Sequence, residues 1–336
     1  MSEDAPLERN EALPGYEILA RVGEGSMGVV YKARQKSLDR LVAVKVLYPR
    51  LAKVPGFVDQ FFAEARVLAR LSHPGIVAAF DVGTHRDLHY MIMEYVDGKT
   101  VEQVLKRGGA IDERRSLQVG RQIAQALECA QRHGLVHRDV KPSNVMVMKG
   151  GGAKLCDLGF AVIRTEATHG KTVGTPDYIS PEQARGESEI DIRSDIYSLG
   201  ATLFHMVTGG VPFPAEDVGV VIAKHLNEKV RSPISLKPEL SADTSRLIEK
   251  MMEKRREDRP QLPGDVIRTI DEIIKKTGGA PAPVAPPMSA PRPAPARPAP
   301  ARPGVQRPLA APPGPGARRP LRSRVSRLGL RRRRPR

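Results

Sequence analysis

The hydrophobic period of this chain changes once, near residue 100, from about two to about 3.6 residues. Before the change, Tyr16–Val22, Val29–Arg34 and Leu41–Leu47 are rich in alternating or β-branched residues, and segments 76–82 and 88–96 return to strand character. One helix interrupts them, because apolar residues fall at 61, 62, 65, 68 and 71 between Phe57 and Leu71. After the change, segments 101–106, 114–133, 194–208, 217–227, 241–254 and 263–276 read as helices. Short strands remain only near Asn144–Met148 and Ala153–Cys156. The expected architecture is α+β and two-lobed. An extension (1–15) leads to a small antiparallel-sheet lobe with one helix (16–96), then a larger helical lobe (97–275), with a cleft between the lobes.

The periodicity stops at Lys276. From there to Arg336, Pro, Ala, Gly and Arg dominate, with arginines at 292, 297, 302 and 307. Such a segment buries too little apolar surface to offset its ordering entropy, so residues 276–336 read as a disordered or polyproline-like tail. It also explains the net charge of +16: from Gly278 on there are 14 arginines and no acidic residue, which leaves 40 basic against 38 acidic residues before it. A nucleic-acid-binding fold, which the total charge alone would invite, is disfavoured by this nearly neutral folded part. Two cysteines exclude a disulfide scaffold and fit a reducing compartment. The polar start lacks the pattern of a signal peptide, and no apolar run reaches bilayer-spanning length. The expectation is a cytoplasmic protein without a membrane span.

Three strings carry chemistry. Gly23-Glu-Gly-Ser-Met-Gly28 precedes the strand residues Val29-Val30-Tyr31, so its glycines join strand to strand and suit a lid whose amides cover phosphates. Lys45, in the apolar strand Val42-Ala-Val-Lys45, reads either as an edge lysine or as a cation pointing into the cleft, where Glu64 is its natural counter-charge. The decisive string is His137-Arg-Asp-Val-Lys-Pro-Ser-Asn144, followed by Asp157-Leu-Gly159. Phosphoryl transfer to an alcohol needs a carboxylate beside the nucleophile, a cation near the transferred group and oxygen ligands for a metal. Asp139, Lys141, Asn144 and Asp157 are residues of those types in that order.

These motifs resemble those of the Hanks-type protein kinases, in particular the bacterial serine/threonine members, over residues 16–275. Gly174-Thr-Pro-Asp-Tyr-Ile-Ser-Pro-Glu182 is similar to the segment closing the family's activation loop, and Asp195-Ile-Tyr-Ser-Leu-Gly200 to the start of a helix whose Asp braces the catalytic loop. Arg259 resembles the late arginine that pairs with the loop-end glutamate, here Glu182. The resemblance implies the protein kinase fold and transfer of the γ-phosphate of ATP, with Mg²⁺ or alternatively Mn²⁺, to Ser or Thr hydroxyls of protein substrates in intracellular signalling. It implies Asp139, Lys141, Lys45 and Glu64 as catalytic residues and Asn144 and Asp157 as metal ligands. ATP would be bound by Val22, Gly23, Glu24, Gly25, Ser26, Met27, Gly28, Val30, Ala43, Lys45, Met93, Glu94 and Val96. Arg138, Thr175, Glu182, Asp195 and Arg259 would be structural, with Arg138 holding a phosphate on Thr168 or Thr172, added through self-association.

Leu158 stands where the family usually has Phe and Ser180 where it usually has Ala, both read as conservative in size. A scaffold that binds ATP without transferring phosphate would lack Lys45, Asp139 or Asp157, and all three are present. Cys156 reads as packing or as a thiol open to an electrophile, Cys129 as core, and His73 as a brace at the end of the first helix. The tail is either a recruiting element for acidic proteins, nucleic acid or anionic membranes, or a solubilising linker. Ser323 and Ser326 lie among its arginines.

Overall fold

Alternation along one strand gives the sheet two different faces. The computed structural model describes residues 13–25, 27–157 and 176–278. Five antiparallel strands, β1 (Tyr16–Glu24), β2 (Gly28–Gln35), β3 (Arg40–Leu47), β4 (Ala79–His85) and β5 (Leu88–Glu94), run in the order β1-β2-β3-β5-β4. Val42, Val44 and Val46 pack on one face with Tyr16, Val29, Tyr31 and Ile92. Ala43, Lys45 and Leu47 therefore share the other face. There Leu47 packs with Phe61, Ala65 and Leu68 of helix α2 (Phe57–Leu68), which follows the short α1 (Pro49–Ala52). This period of two puts Lys45 on the helix side of the sheet. Gly28 opens β2 because its backbone passes so close to β3 that a Cβ would lie 1.9 Å from the Val46 carbonyl oxygen.

The helical lobe is built on α4 (Glu113–Arg132) and α6 (Ile192–Thr208). Leu117, Ile123, Leu127, Leu199, Leu203 and Phe204 from these two helices are buried in one core. Helices α3 (Val101–Gly108), α5 (Pro181–Ala184), α7 (Val218–Asn227), α8 (Pro233–Leu236), α9 (Ala242–Met251) and α10 (Pro263–Lys276) complete the lobe. Thr100, Asp112, Asp191, Asp217 and Ser241 cap helices α3, α4, α6, α7 and α9, each accepting a first-turn backbone N–H. A second sheet, β6 (Gly98–Thr100), β7 (Val145–Met148) and β8 (Ala153–Leu155), lies between α3 and the core. No helix among the described residues is long and apolar enough to cross a membrane.

Two expectations shift. The fourth strand begins at Ala79, because Ile76 and Val77 pair instead with β8: Val77 N donates to Leu155 O at 3.0 Å and Leu155 N to Gly75 O at 2.8 Å. Strand β6 has no alternation to reveal it. It exists because Gly98 lets its backbone close on β7, where a Cβ would lie 2.5 Å from Val147 O. Residues 1–12 of the N-terminal extension and 279–336 of the basic tail, with Ser323 and Ser326, lie outside the described residues.

Two buried polar contacts tie the lobe's far side together. Arg259 forks onto Glu182, Nη1 to Oε1 at 2.7 Å and Nη2 to Oε2 at 2.8 Å, and both side chains are almost fully buried. Ser194 Oγ also donates to this carboxylate. His225, fully buried, has its Nδ1 2.9 Å from the Tyr197 hydroxyl, and burial, aided by Lys254, pushes its pKa down to about 3.

Truncating Arg259 to Ala leaves Glu182 as a buried unpaired charge. The expected cost is about 3–5 kcal/mol, read as a lowered midpoint in urea unfolding. For His225 the folded pKa lies below the ordinary 6.5, so the stability gained by keeping it neutral is full above pH 6.5 and is lost as pH falls toward 3. Wild type is expected to lose about 2 kcal/mol more than His225→Gln between pH 6.5 and pH 5. Equal pH dependence in the two proteins would contradict this account.

Candidate active site

The segment between α4 and β7 is held by a single buried carboxylate. Asp195, in the first turn of α6, accepts the backbone N–H of His137 through Oδ2 and that of Arg138 through Oδ1, each at 2.7 Å. Burial pushes its pKa up to about 6 even though these two donors and the nearby cations favour the charged form. Arg138 is in the left-handed region, φ +62°, which costs an L-residue on the order of 1–3 kcal/mol. Its carbonyl is fixed from the other side by Gln183 Nε2 at 2.8 Å. Gln183 is free to do so because its backbone and side chain close a capping box with Ser180 at the start of α5. Ser180 is thus an N-cap as well as a small residue, a role its size alone does not disclose.

His137 joins this segment to β8. Asp139 N donates to its Nδ1 at 3.2 Å, so the ring proton sits on Nε2 and is donated to Cys156 O at 3.0 Å. Cys156 N in turn donates to Asn144 O at 2.9 Å. These bonds fix the peptides on both sides of Cys156, the residue that leads into Asp157, which is itself left-handed at φ +56°. Burial, reinforced by Asp157, pushes the Cys156 thiol far up, so it is a neutral packing group and a poor nucleophile. Cys129 is buried in α4. His73 lies beyond the end of α2, where its Nδ1 accepts the Gly75 N–H at 3.0 Å and closes the turn before β8's partner segment.

The functional side chains form two groups. In the first, Lys141 Nζ lies 2.9 Å from Asp139 Oδ1 and 2.8 Å from Oδ2. Asn144 Nδ2 donates to Asp139 O at 2.9 Å and to Oδ2 at 3.0 Å. In the second, Lys45 Nζ lies 2.5 Å from Asp157 Oδ1. Burial opposes charge on both members, but their mutual attraction wins, so the Asp157 carboxyl lies below its ordinary range and the Lys45 ammonium above. Lys141 also favours the ionised form of Asp157, which links the two groups electrostatically. Glu64 is buried on α2, and burial raises its carboxyl well above the ordinary range against the pull of Lys45. Its Oε2 has no hydrogen-bond partner among the described residues.

Around these groups, Ala43 and Val96 are buried, Val30, Met27 and Met93 half-buried, and Val22 exposed. Gly23 and Glu24 end β1, Gly25 N bonds Gly28 O at 2.9 Å, and Glu24 accepts from Tyr48 Oη at 2.5 Å. The Glu94 side chain is taken up within the protein: its carboxylate accepts from Lys154 Nζ at 2.9 Å and from Ala78 N at 3.4 Å. Ser26, Leu158, Thr168, Thr172 and Thr175 lie outside the described residues.

The donor set suits a hard divalent cation. Asn144 spends its amide N–H groups on Asp139, which leaves its oxygen, 3.5 Å from Ser143 Oγ, able to face a cation, and Asp157 is held ionised. Two such oxygens match an ion that keeps several waters and takes its other ligands from phosphates.

Residues 16–272 match the family model described as protein kinase domain. The chain is 41% identical over 263 residues to the probable serine/threonine-protein kinase CPE1738 of Clostridium perfringens, covering 77% of this chain and 38% of that protein. It is 38% identical over 266 residues to serine/threonine-protein kinase PknB of Mycolicibacterium smegmatis, covering 75% and 42%. The matched part thus spans about two fifths of these relatives' length. The crystal structure of the Mycobacterium tuberculosis PknI kinase domain superposes with a TM-score of 0.63 at 26% identity, covering 79% of this chain and 99% of that one. A domain match over most of the chain, agreement with a solved kinase domain and these relatives place the chain in the protein kinase family, among the bacterial serine/threonine kinases of Hanks type.

Proposed function

We propose that this chain transfers the γ-phosphate of ATP to Ser or Thr hydroxyls of proteins. The observation that carries this reading is the Asp139 carboxylate held between Lys141 and Asn144, with the Lys45–Asp157 pair electrostatically within reach. In the reaction the acceptor hydroxyl oxygen forms a bond to the γ-phosphorus as the bond to the β-bridging oxygen breaks. The hydroxyl proton goes to Asp139 and the electron pair leaves with ADP. Lys141 neutralises charge on the transferred group and, with Thr175, fixes Asp139. Lys45 binds the α- and β-phosphates, and Glu64 is its second counter-charge when those phosphates compete for it. Backbone groups of Glu94 and Val96 bond the adenine edge between Val22, Val30, Ala43 and Met93. The amides of Gly23–Gly28, with Glu24, Gly25, Ser26 and Met27, cover the phosphates. Asn144 and Asp157 would hold Mg²⁺, or Mn²⁺, which would supply positive charge against the charge developing on the phosphates.

Arg138, strained and anchored on both sides of its peptide, offers its guanidinium to a phosphate on Thr168 or Thr172, added by a second copy of the chain. The basic tail supplies contact with acidic partners, its 14 arginines being unopposed by any carboxylate.

With labelled γ-phosphate, wild type is expected to label itself and a generic Ser/Thr substrate. Asp139→Asn is expected to lose about 10²–10⁴-fold in rate while still binding nucleotide. ATP binding without transfer in wild type, even with Mn²⁺, would reduce the chain to a nucleotide-binding scaffold. The double variant Thr168→Ala, Thr172→Ala is expected to lose self-labelling of the loop and most activity toward the added substrate. Unchanged activity would remove the role given to Arg138.

A further inference from the structure

Tyr48, just after β3, touches both arms of the glycine turn. Its backbone N–H donates to Met27 O at 2.9 Å, and its hydroxyl donates to Glu24 Oε1 at 2.5 Å. Glu24 is the last residue of β1 and Met27 the last before β2. Between them the turn is closed by the bond from Gly25 N to Gly28 O. Tyr48 itself is fixed. It is 3% exposed, belongs to the cluster of Val29, Val44 and Val46, and carries the Arg50 guanidinium 4.3 Å from its ring centroid. Burial, with the Glu24 carboxylate, pushes its pKa up to about 12, so the hydroxyl keeps its proton for that bond.

The sheet register shows on which side Glu24 stands. Residues directly opposite each other on antiparallel strands share a face. Glu24 is opposite Val29, and Val29 is opposite Val46, so this row lies on the face of the buried valines. The neighbouring row, Gly23, Val30 and Lys45, lies on the other face. Backbone amides of the turn suit phosphates, but a carboxylate carries the same sign and repels them. Glu24 therefore serves nucleotide binding only while its side chain stays on the face away from Lys45. Two groups hold it there. Arg21 forms an i,i+3 pair with it, but both side chains are exposed, and such pairs are weak. The Tyr48 hydroxyl, on a buried ring, is the fixed anchor.

We propose that Tyr48 is a positioning residue for ATP. Its hydroxyl draws the Glu24 carboxylate away from the phosphates, and its backbone bond to Met27 holds the other arm of the glycine turn. The device discriminates by charge. A released Glu24 opposes ATP, which carries a triphosphate, and is indifferent to adenosine, which carries none. This inference rests on ATP binding at the glycine turn, a part of the function proposed above.

The test is equilibrium binding of ATP, with Mg²⁺ present, and of adenosine to the full chain by calorimetry, with folding checked by thermal melting. Tyr48→Phe keeps the buried ring and removes the hydroxyl. It is expected to raise Kd for ATP about five- to tenfold, the scale of one lost hydrogen bond. Kd for adenosine should stay within about twofold. Glu24→Asp keeps the charge but stops one methylene short of Tyr48, so it should weaken ATP in the same way. It takes the place of Tyr48→Phe if that variant fails to fold. In a Glu24→Ala background the carboxylate is gone, so adding Tyr48→Phe should change Kd for ATP by less than about twofold. Unchanged ATP affinity in Tyr48→Phe or its stand-in, an equal loss for adenosine, or a loss that persists in the Glu24→Ala background overturns the inference. A wild-type chain that binds no ATP overturns the functional reading along with it, whereas one that binds ATP without transferring phosphate overturns that reading alone.

Discussion

The structure's chemistry hangs on the two N–H bonds that Asp195 accepts from His137 and Arg138. They fix consecutive peptides, and so set the direction in which the chain leaves toward Asp139. A carboxylate in full burial is costly, and burial accordingly pushes the pKa of Asp195 up. Two short backbone bonds offset part of it, and the left-handed Arg138 can persist because the peptides on both sides of it are held. His137 passes the constraint on: with its tautomer set by Asp139 N, it bonds the carbonyl that precedes the strained Asp157. The carboxylates of Asp139 and Asp157 are thus placed by one framework rooted in α6.

Sequence revealed the fold to the extent that side-chain period mirrors burial. Val42, Val44 and Val46 against Ala43, Lys45 and Leu47 show this, since alternation alone separates the faces of β3. The helices of the second lobe were legible for the same reason. Missed or misplaced were contacts made by backbone: β6, which depends on close approach at Gly98, and segment 76–77, which is drawn to β8 by a partner far away in sequence. No local pattern encodes such pairings.

The site was legible where chemistry demands particular residue types in order, as in the string from His137 to Asn144. Of its supporting shell, motif resemblance named Asp195 and the Glu182–Arg259 pair, and the rest went unread. Lys154 on Glu94 and Gln183 on Arg138 O look in sequence like ordinary polar residues on strands and helices. Only Ser180–Gln183 carried a local sign, the Ser-x-x-Gln spacing of a capping box.

Strand β8 is three residues long, yet Leu155 bonds Gly75 and Val77, Lys154 bonds Glu94, and Asp157 follows two residues after its end. These are the places where the small sheet is stitched to the helical lobe close to Asp157. A rocking of one lobe on the other would therefore turn about an axis near β8. Asp157, two residues beyond β8, would scarcely travel, while β1 and β2, on the side of β3 away from β5, would sweep farther. A cleft hinged in this way would open at its outer edge while its inner edge stays joined.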